Sequence, residues 1–350
     1  MTVSSVDRHP FTPPWVPLLA GVALIISVVA AGLALTKSAG TAAPSSPAAT
    51  LTDLVRTQAG IHQPYDASLR PAPTGTVHQI TLVARETEQE IAPGVMYPVW
   101  TFGDRAPGQA LRVRQGDTVE FTLRNEGLVP HSIDFHAART PWDQNYRSVN
   151  AGETISFRWQ ADNAGAFMYH CGTAPALLHI ANGMYGAVIV DPAEGLSPAK
   201  EFVLVQSEFY AKGAADRKRN EADYTKMLAD TPDFVVFNGF AQQYVEHPLQ
   251  ANPGEPIRFW IVNAGPSQPS AFHIVGAILD RVYPDGNPAN VLSGMQTYNI
   301  PPGGGAMVEL TVPEEGLYPV VSHSFASATK GALAMLRVGN PPGAPESASH

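Results

Sequence analysis

A fourteen-residue pattern occurs twice in this chain. Arg114-Gln-Gly-Asp-Thr-Val-Glu-Phe-Thr-Leu-Arg-Asn-Glu-Gly127 aligns with Asn252-Pro-Gly-Glu-Pro-Ile-Arg-Phe-Trp-Ile-Val-Asn-Ala-Gly265, 138 positions further on. Gly116 lies over Gly254, Asn125 over Asn263, and Gly127 over Gly265. In the first copy, Val119-Glu-Phe-Thr-Leu-Arg alternates with period two after a turn at Gly116-Asp117, the mark of a half-buried strand. A later pair extends the match: Gly165-Ala-Phe-Met-Tyr-His-Cys runs against Gly316-Leu-Tyr-Pro-Val-Val-Ser-His-Ser, with two extra residues in the second copy. Two β-sandwich units of related design explain the duplication. The 30 Gly and 32 Pro, spread along the chain, fit the many turns of an all-β protein.

Ahead of the repeat lies a different kind of sequence. After a short segment 1–13, residues Pro14 to Thr36 carry no charge, and Trp15 to Leu35 is an apolar run of bilayer-spanning length. A cleaved signal has a shorter apolar core, about 7–15 residues, so an uncleaved transmembrane helix over 14–36 is the favoured reading. Arg8 and Lys37 flank it, a weak orientation bias. In either case the bulk of the chain is expected outside the cytoplasm, in the periplasm or at the cell surface. Residues 37–75, rich in Ala, Thr, Ser and Pro, read as a flexible linker, with a short helix over Leu51–Ala59 as an option. The first unit is expected over 76–195 and the second over 196–340, with Ala214–Ala229 a charged, helix-compatible surface excursion. A disordered tail, 341–350, closes the chain. A net charge of −9 without a basic run leaves no electrostatic footprint for nucleic acid.

The only cysteine, Cys171, precedes His179 and Met184 on one short loop, and one cysteine excludes an internal disulfide framework. Taken singly, a buried Cys, a core His and a core Met are ordinary. Together, ahead of a strand over Ala187–Val190 and with one more imidazole, they form the ligand set of a blue-copper electron-transfer site. Neighbouring strand residues face opposite ways, so if Cys171 turns toward a copper, His170 is free for another. Read as one extended strand, His131-Ser-Ile-Asp-Phe-His136 obeys the same parity. His131 completes the set with Cys171, His179 and Met184, while His136 joins His170, with Asp134 on the face of His136. His323, in the second unit's counterpart of the His170-Cys171 step, is the natural third imidazole. Its neighbour there is Ser324 and the following loop holds neither His nor Met, so the second unit cannot build a blue-copper site.

The motif set resembles the copper-containing nitrite reductases. His131-Ser-Ile-Asp-Phe-His-Ala-Ala138, the Tyr169–Gly186 stretch, Val235-Val-Phe-Asn-Gly239, Ser270-Ala-Phe-His-Ile-Val-Gly276 and Val321-Ser-His-Ser324 carry the likeness, in order, over roughly His78 to Val338. The eight-residue step from Cys171 to His179 is similar to the branch with the shorter copper loop, which includes membrane-anchored members. The resemblance implies two tandem cupredoxin-like Greek-key sandwiches and two coppers per subunit. Type 1 copper falls to His131, Cys171, His179 and Met184. Type 2 copper falls to His136, His170 and a His323 supplied by a neighbouring subunit, which makes a homotrimer the expected state. It further implies Asp134 and His273 as the proton-handling pair and Val275 as the aliphatic residue over the substrate pocket. Nitrite is then the substrate, and a small redox protein, a cupredoxin or cytochrome c, is the electron donor.

Two departures bear on substrate. After Ala138 the family usually carries a Thr/Gly-rich loop, where this chain has Arg139-Thr-Pro-Trp-Asp-Gln-Asn-Tyr-Arg147. Ser322 stands where some members have an acidic residue. A related two-copper oxidoreductase acting on oxygen or hydroxylamine is therefore one alternative, and an electron-transfer-only protein is another. A laccase-type oxidase is disfavoured, since the 11 histidines include no His-x-His pair.

Overall fold

The computed structural model describes residues 62–212 and 220–341. The expected transmembrane helix, the Leu51–Ala59 option, the start of the charged excursion and nearly all of the tail lie outside the described residues. Among the described residues no helix is long and apolar enough to cross a membrane.

Eight strands build the first half of the fold: β1 (Val77–Ala92), β2 (Val95–Phe102), β3 (Leu111–Arg114), β4 (Thr118–Asn125), β5 (Asp134–Phe135), β6 (Thr154–Gln160), β7 (Gly165–His170) and β8 (Tyr185–Asp191). They form two four-stranded sheets, ordered β2-β1-β4-β6 and β3-β8-β7-β5. Leu82, Phe121, Leu123, Phe135, Trp159, Tyr169 and Val188 pack between them. Eleven more strands follow: β9 (Lys200–Phe209), β10 (Phe234–Phe237), β11 (Leu249–Ala251), β12 (Pro256–Gly265), β13 (Ser270–Ile274), β14 (Leu279–Pro284), β15 (Leu292–Met295), β16 (Thr297–Ile300), β17 (Gly305–Thr311), β18 (Gly316–Ser322) and β19 (Leu333–Val338). Their sheets are ordered β10-β9-β12-β17-β14-β15 and β11-β19-β18-β13-β16. The architecture is mostly β, with two sheets in each half, as expected of two tandem β-sandwiches.

The sequence repeat has a structural counterpart. β4 runs parallel to β1, and β12 runs parallel to β9. Each copy enters its strand through a glycine at positive φ, +94° at Gly116 and +73° at Gly254, a conformation open to glycine at little strain. Each leaves through a buried asparagine. Asn125 Nδ2 donates to the carbonyls of Val129 and Val149, and its Oδ1 accepts from Gly127 N. Asn263 does the same toward Gln268, Ile300 and Gly265 N.

Strands β7 and β8 are buried on both faces. Tyr169, Val188 and Val190 point into the first core, and Met168, Ala187 and Ile189 pack against Val205, Trp260, Val262 and Met307 of the second half. Burial on both sides removes the polar alternation, which is why all seven residues of β8 are buried. Residues 62–75, expected within the flexible linker, instead lie along the folded body. Ala67 enters the second core, Ser68 bridges to Phe202, and Val203 N donates to Ala67 O. Small side chains and prolines let this strap run extended against a sheet, which composition alone reads as a tether. From the expected surface excursion, the helical turn Tyr224–Leu228 buries Met227 beside Ala181 and Tyr210.

The join between the halves tolerates no added volume at Gly305. A Cβ there would overlap the Ala166 carbonyl, which is backbone and cannot swing away. Gly305→Ala is expected to destabilise the protein by about 1–3 kcal/mol. Thermal denaturation followed by circular dichroism measures this, and an unchanged midpoint would show that the halves slide freely at this contact.

Candidate metal centres

The end of β7 places two groups of donors back to back. His170 is the last residue of the strand, and Cys171 begins the loop that returns as β8. One group gathers His131, Cys171 and His179, all buried; the other gathers Asp134, His136 and His170, which are partly exposed.

In the buried group the ligand atoms form a triangle. His131 Nδ1 and His179 Nδ1 are 3.2 Å apart, and Cys171 Sγ lies 3.3 Å from His179 Nδ1 and 4.0 Å from His131 Nδ1. Metal bonds of about 2.1 Å in a trigonal plane give edges of about 3.6 Å, so one ion fits these three atoms. The helical turn Ala176–Ala181 presents His179 from its last turn. Backbone bonds close the loop on itself: Cys171 N donates to Met184 O at 3.1 Å, and Met184 N donates to His179 O at 3.2 Å. The Met184 side chain is fully buried in the core that contains Cys171.

Sequence reasoning missed the residues around this triangle. Glu86, on β1, accepts from His131 Nε2 at 3.3 Å, which leaves Nδ1 bare on the side of His179 Nδ1 and Cys171 Sγ. Ser132 N donates to Cys171 Sγ at 3.4 Å. The Trp100 ring stands edge-on to both imidazoles, 5.7 Å from His131 and 4.7 Å from His179. Only the register of β1 and β2 brings Glu86 and Trp100 opposite one another, a pairing no local motif encodes.

Burial sets the charge state of the rings. It pushes His179 down to about 4, helped by the neighbouring His131 and opposed by Glu86. Burial also lowers His131, against the hydrogen bond and charge of Glu86. For Glu86 burial opposes ionisation, but the Leu128 amide and the His131 ring outweigh it and hold the carboxyl below its usual range. Neutral imidazoles beside a thiol are donors ready for a soft metal.

The second group has its own fit to a cation. His136 Nδ1 donates to Gly303 O at 3.1 Å and His170 Nδ1 donates to Cys171 O at 3.0 Å. Carbonyls only accept, so both Nδ1 atoms carry a proton, and in neutral rings both Nε2 atoms present lone pairs. Those lone pairs face each other at 3.0 Å, with Asp134 Oδ2 at 3.8 Å from His170 Nε2. Two opposed lone pairs and a carboxylate call for a positive charge between them. Burial lowers His170, with His136 adding to the effect and the Cys171 carbonyl and Asp134 opposing it. Gly303 belongs to the Pro-Pro-Gly-Gly-Gly turn between β16 and β17, so the second half of the fold orients a donor of the first.

Strand parity needs one revision. Only Asp134–Phe135 is strand; His131 sits in an isolated bridge to Val149, and His136 follows the strand end. The loop geometry, rather than one extended strand, turns His131 and His136 to different groups. His323 and His273 stand together elsewhere, rings 5.2 Å apart, with Phe325 against His323 and His273 Nδ1 donating to Gln296 O. Val275, two residues on, is 42% exposed. Within one chain neither His323 nor His273 belongs to the His136–His170 group.

The depressed His179 gives a pH prediction. Its unfolded value is near 6.5 and its folded value about 4, so below pH 6.5 the unfolded chain binds the extra proton. The metal-free protein should lose stability as pH falls from about 6.5 to about 4, and retain it above that window. Comparing denaturation midpoints of wild type and His179→Gln isolates this contribution; parallel pH profiles would refute it.

The comparisons with known proteins agree with this geometry. The multicopper oxidase family matches residues 84–195. Copper-containing nitrite reductase of Neisseria meningitidis is 40% identical over 260 residues, covering 72% of this chain and 67% of that protein. Its counterpart from Alcaligenes xylosoxydans is 32% identical over 271 residues, covering 70% and 81%. Among solved structures, the copper nitrite reductase from Nitrosomonas europaea is similar with a TM-score of 0.70 and 41% identity, covering 77% of this chain and 97% of that one. With relatives this similar over most of their length, the chain belongs to the copper-containing nitrite reductase family.

Proposed function

We propose that the chain reduces nitrite to nitric oxide with two coppers per subunit, as a homotrimer held to the outer side of a membrane by its N-terminal segment. The observation that carries this reading is the pair of donor groups hung from adjacent residues, His170 and Cys171. On this reading His131, Cys171, His179 and Met184 hold type 1 copper. His136, His170 and the partner copy's His323 hold type 2 copper. The two cupredoxin domains are 76–195 and 196–340. Held by these residues, copper would supply reversible one-electron chemistry and, at the three-histidine group, a cation to attract the anion.

The chain's own residues supply the rest. Nitrite takes up one electron and two protons; one N–O bond breaks, leaving nitric oxide and water. The Cys171–His170 peptide is the covalent path between the two groups. Asp134, beside His170 and partly open to solvent, relays a proton to the departing oxygen. His273, in the second half of the fold, is the other proton donor, and Val275 borders the anion's pocket. His273 and His323 stand apart from Asp134 within one chain, which favours a site completed between copies and so the trimer. The donor would be a small cupredoxin or cytochrome c. The charge-free run Trp15–Leu35 supports anchorage and an extracytoplasmic location.

Anaerobic turnover of the copper-loaded protein with an artificial donor tests the reading. Nitric oxide should form, and His136→Ala should lose it by at least about a hundredfold while the thiolate colour persists. Copper per subunit should be near two in wild type and near one in Cys171→Ser. A value near one in wild type would favour a carrier. Two coppers without nitric oxide would favour oxygen or hydroxylamine as substrate, a reading for which the exposed Trp142 loop provides the motive.

A further inference from the structure

Glu86 has no part in the donor groups themselves, yet its carboxylate is built into the buried one. Oε1 accepts from His131 Nε2 at 3.3 Å, and Leu128 N donates to both oxygens, at 3.0 and 2.9 Å. The approach depends on a missing side chain. A Cβ on Gly127 would lie 2.7 Å from Oε2 and 2.9 Å from Oε1, so only glycine leaves the carboxylate its place. Gly127 is held in turn by Asn125, whose Oδ1 accepts from its amide at 2.9 Å. The nearby Glu126 is spent differently: its oxygens pair with Arg85 and Arg124.

We propose that Glu86 is a positioning residue that also sets the reduction potential of the Cys171 centre. The inference rests on the copper reading above. The carboxylate fixes the ring so that Nε2 carries the proton and Nδ1 offers its lone pair toward Cys171. A hydrogen bond from a ligand imidazole to an anion raises the ring's basicity. A fixed negative charge one ring away from the ion favours the oxidised state, which carries the greater positive charge. Losing that charge therefore makes the centre a stronger oxidant and weakens its drive to pass an electron onward.

The test is spectroelectrochemical titration of the copper-loaded full chain, following the thiolate-to-copper absorption. Glu86→Gln keeps an acceptor for Nε2–H but removes the charge. At a fixed applied potential its reduced-to-oxidised ratio should rise about tenfold, a shift of about 59 mV for one electron. Gly127→Ala keeps the charge in the chain but pushes the carboxylate off the ring, and should shift the ratio in the same direction. Since it displaces only the end of a flexible side chain, it decides the matter if Glu86→Gln binds copper poorly. Glu126→Gln removes an equal charge that does not touch the ring and should leave the ratio within about twofold of wild type. An unchanged ratio in Glu86→Gln and Gly127→Ala, with the absorption band intact, overturns the proposal alone. An equal rise in Glu126→Gln overturns it in favour of bulk charge. A wild-type protein with no thiolate band overturns the copper reading and this inference with it.

Discussion

Two buried asparagines hold the ends of the strands on which everything else hangs. Asn125 and Asn263 each satisfy carbonyls from two separate segments and fix the amide two residues on, so each closes a strand end and a returning loop with three hydrogen bonds. Buried amides left without such partners carry a large penalty, so the loops have little freedom to leave. The consequences reach both donor groups. From Asn125 the chain runs through Gly127 and Leu128, which seat Glu86, to His131. Backbone bonds between Asn263 and Gly303–Gly304 secure the turn whose carbonyl orients His136. A duplicated structural residue thus supports two different sites.

The second constraint is the double burial of β7 and β8. Side chains alternate across a strand, so the end of β7 presents neighbouring donors to two different surroundings. Here the inward side meets the first core and the outward side meets the second half of the fold. Cys171 therefore finds an apolar pocket where its sulfur lies against the amide and hydroxyl of Ser132 and faces two neutral rings. His170, one residue earlier, reaches the border between the halves, where a carboxylate and solvent are available. Dry surroundings suit electron transfer with little rearrangement, and the wetter border suits an anion and protons. The contrast between the two groups follows from where one strand ends.

Much of the candidate site could be read from residue order because its donors lie on a short loop. Cys171, His179 and Met184 span fourteen positions, close enough for spacing to speak of one pocket. His131 and His136 were separable only by assuming strand geometry, and the strand proved shorter than that assumption. Glu86, Trp100 and Gly303 gave no signal. They lie on other strands or turns and reach the donors through sheet register, a property of long-range pairing rather than of any local pattern. Residues 62–75 show the converse limit: a composition typical of tethers nevertheless packs when a groove is available.

What the sequence by itself determined is the duplicated β architecture, the Cys-His-Met donor spacing of the Cys171 loop and the resemblance to one enzyme family. Local spacing and residue type are sufficient for each, since thiolate, imidazole and thioether chemistry travels with the side chain. The tertiary structure alone decided which imidazole nitrogen faces which partner, how Glu86 and the Gly303 carbonyl set the tautomers, and that His323 and His273 stand apart from the His136–His170 pair within one chain. Those features depend on distances between segments remote in sequence, and only packing brings such segments to hydrogen-bond range.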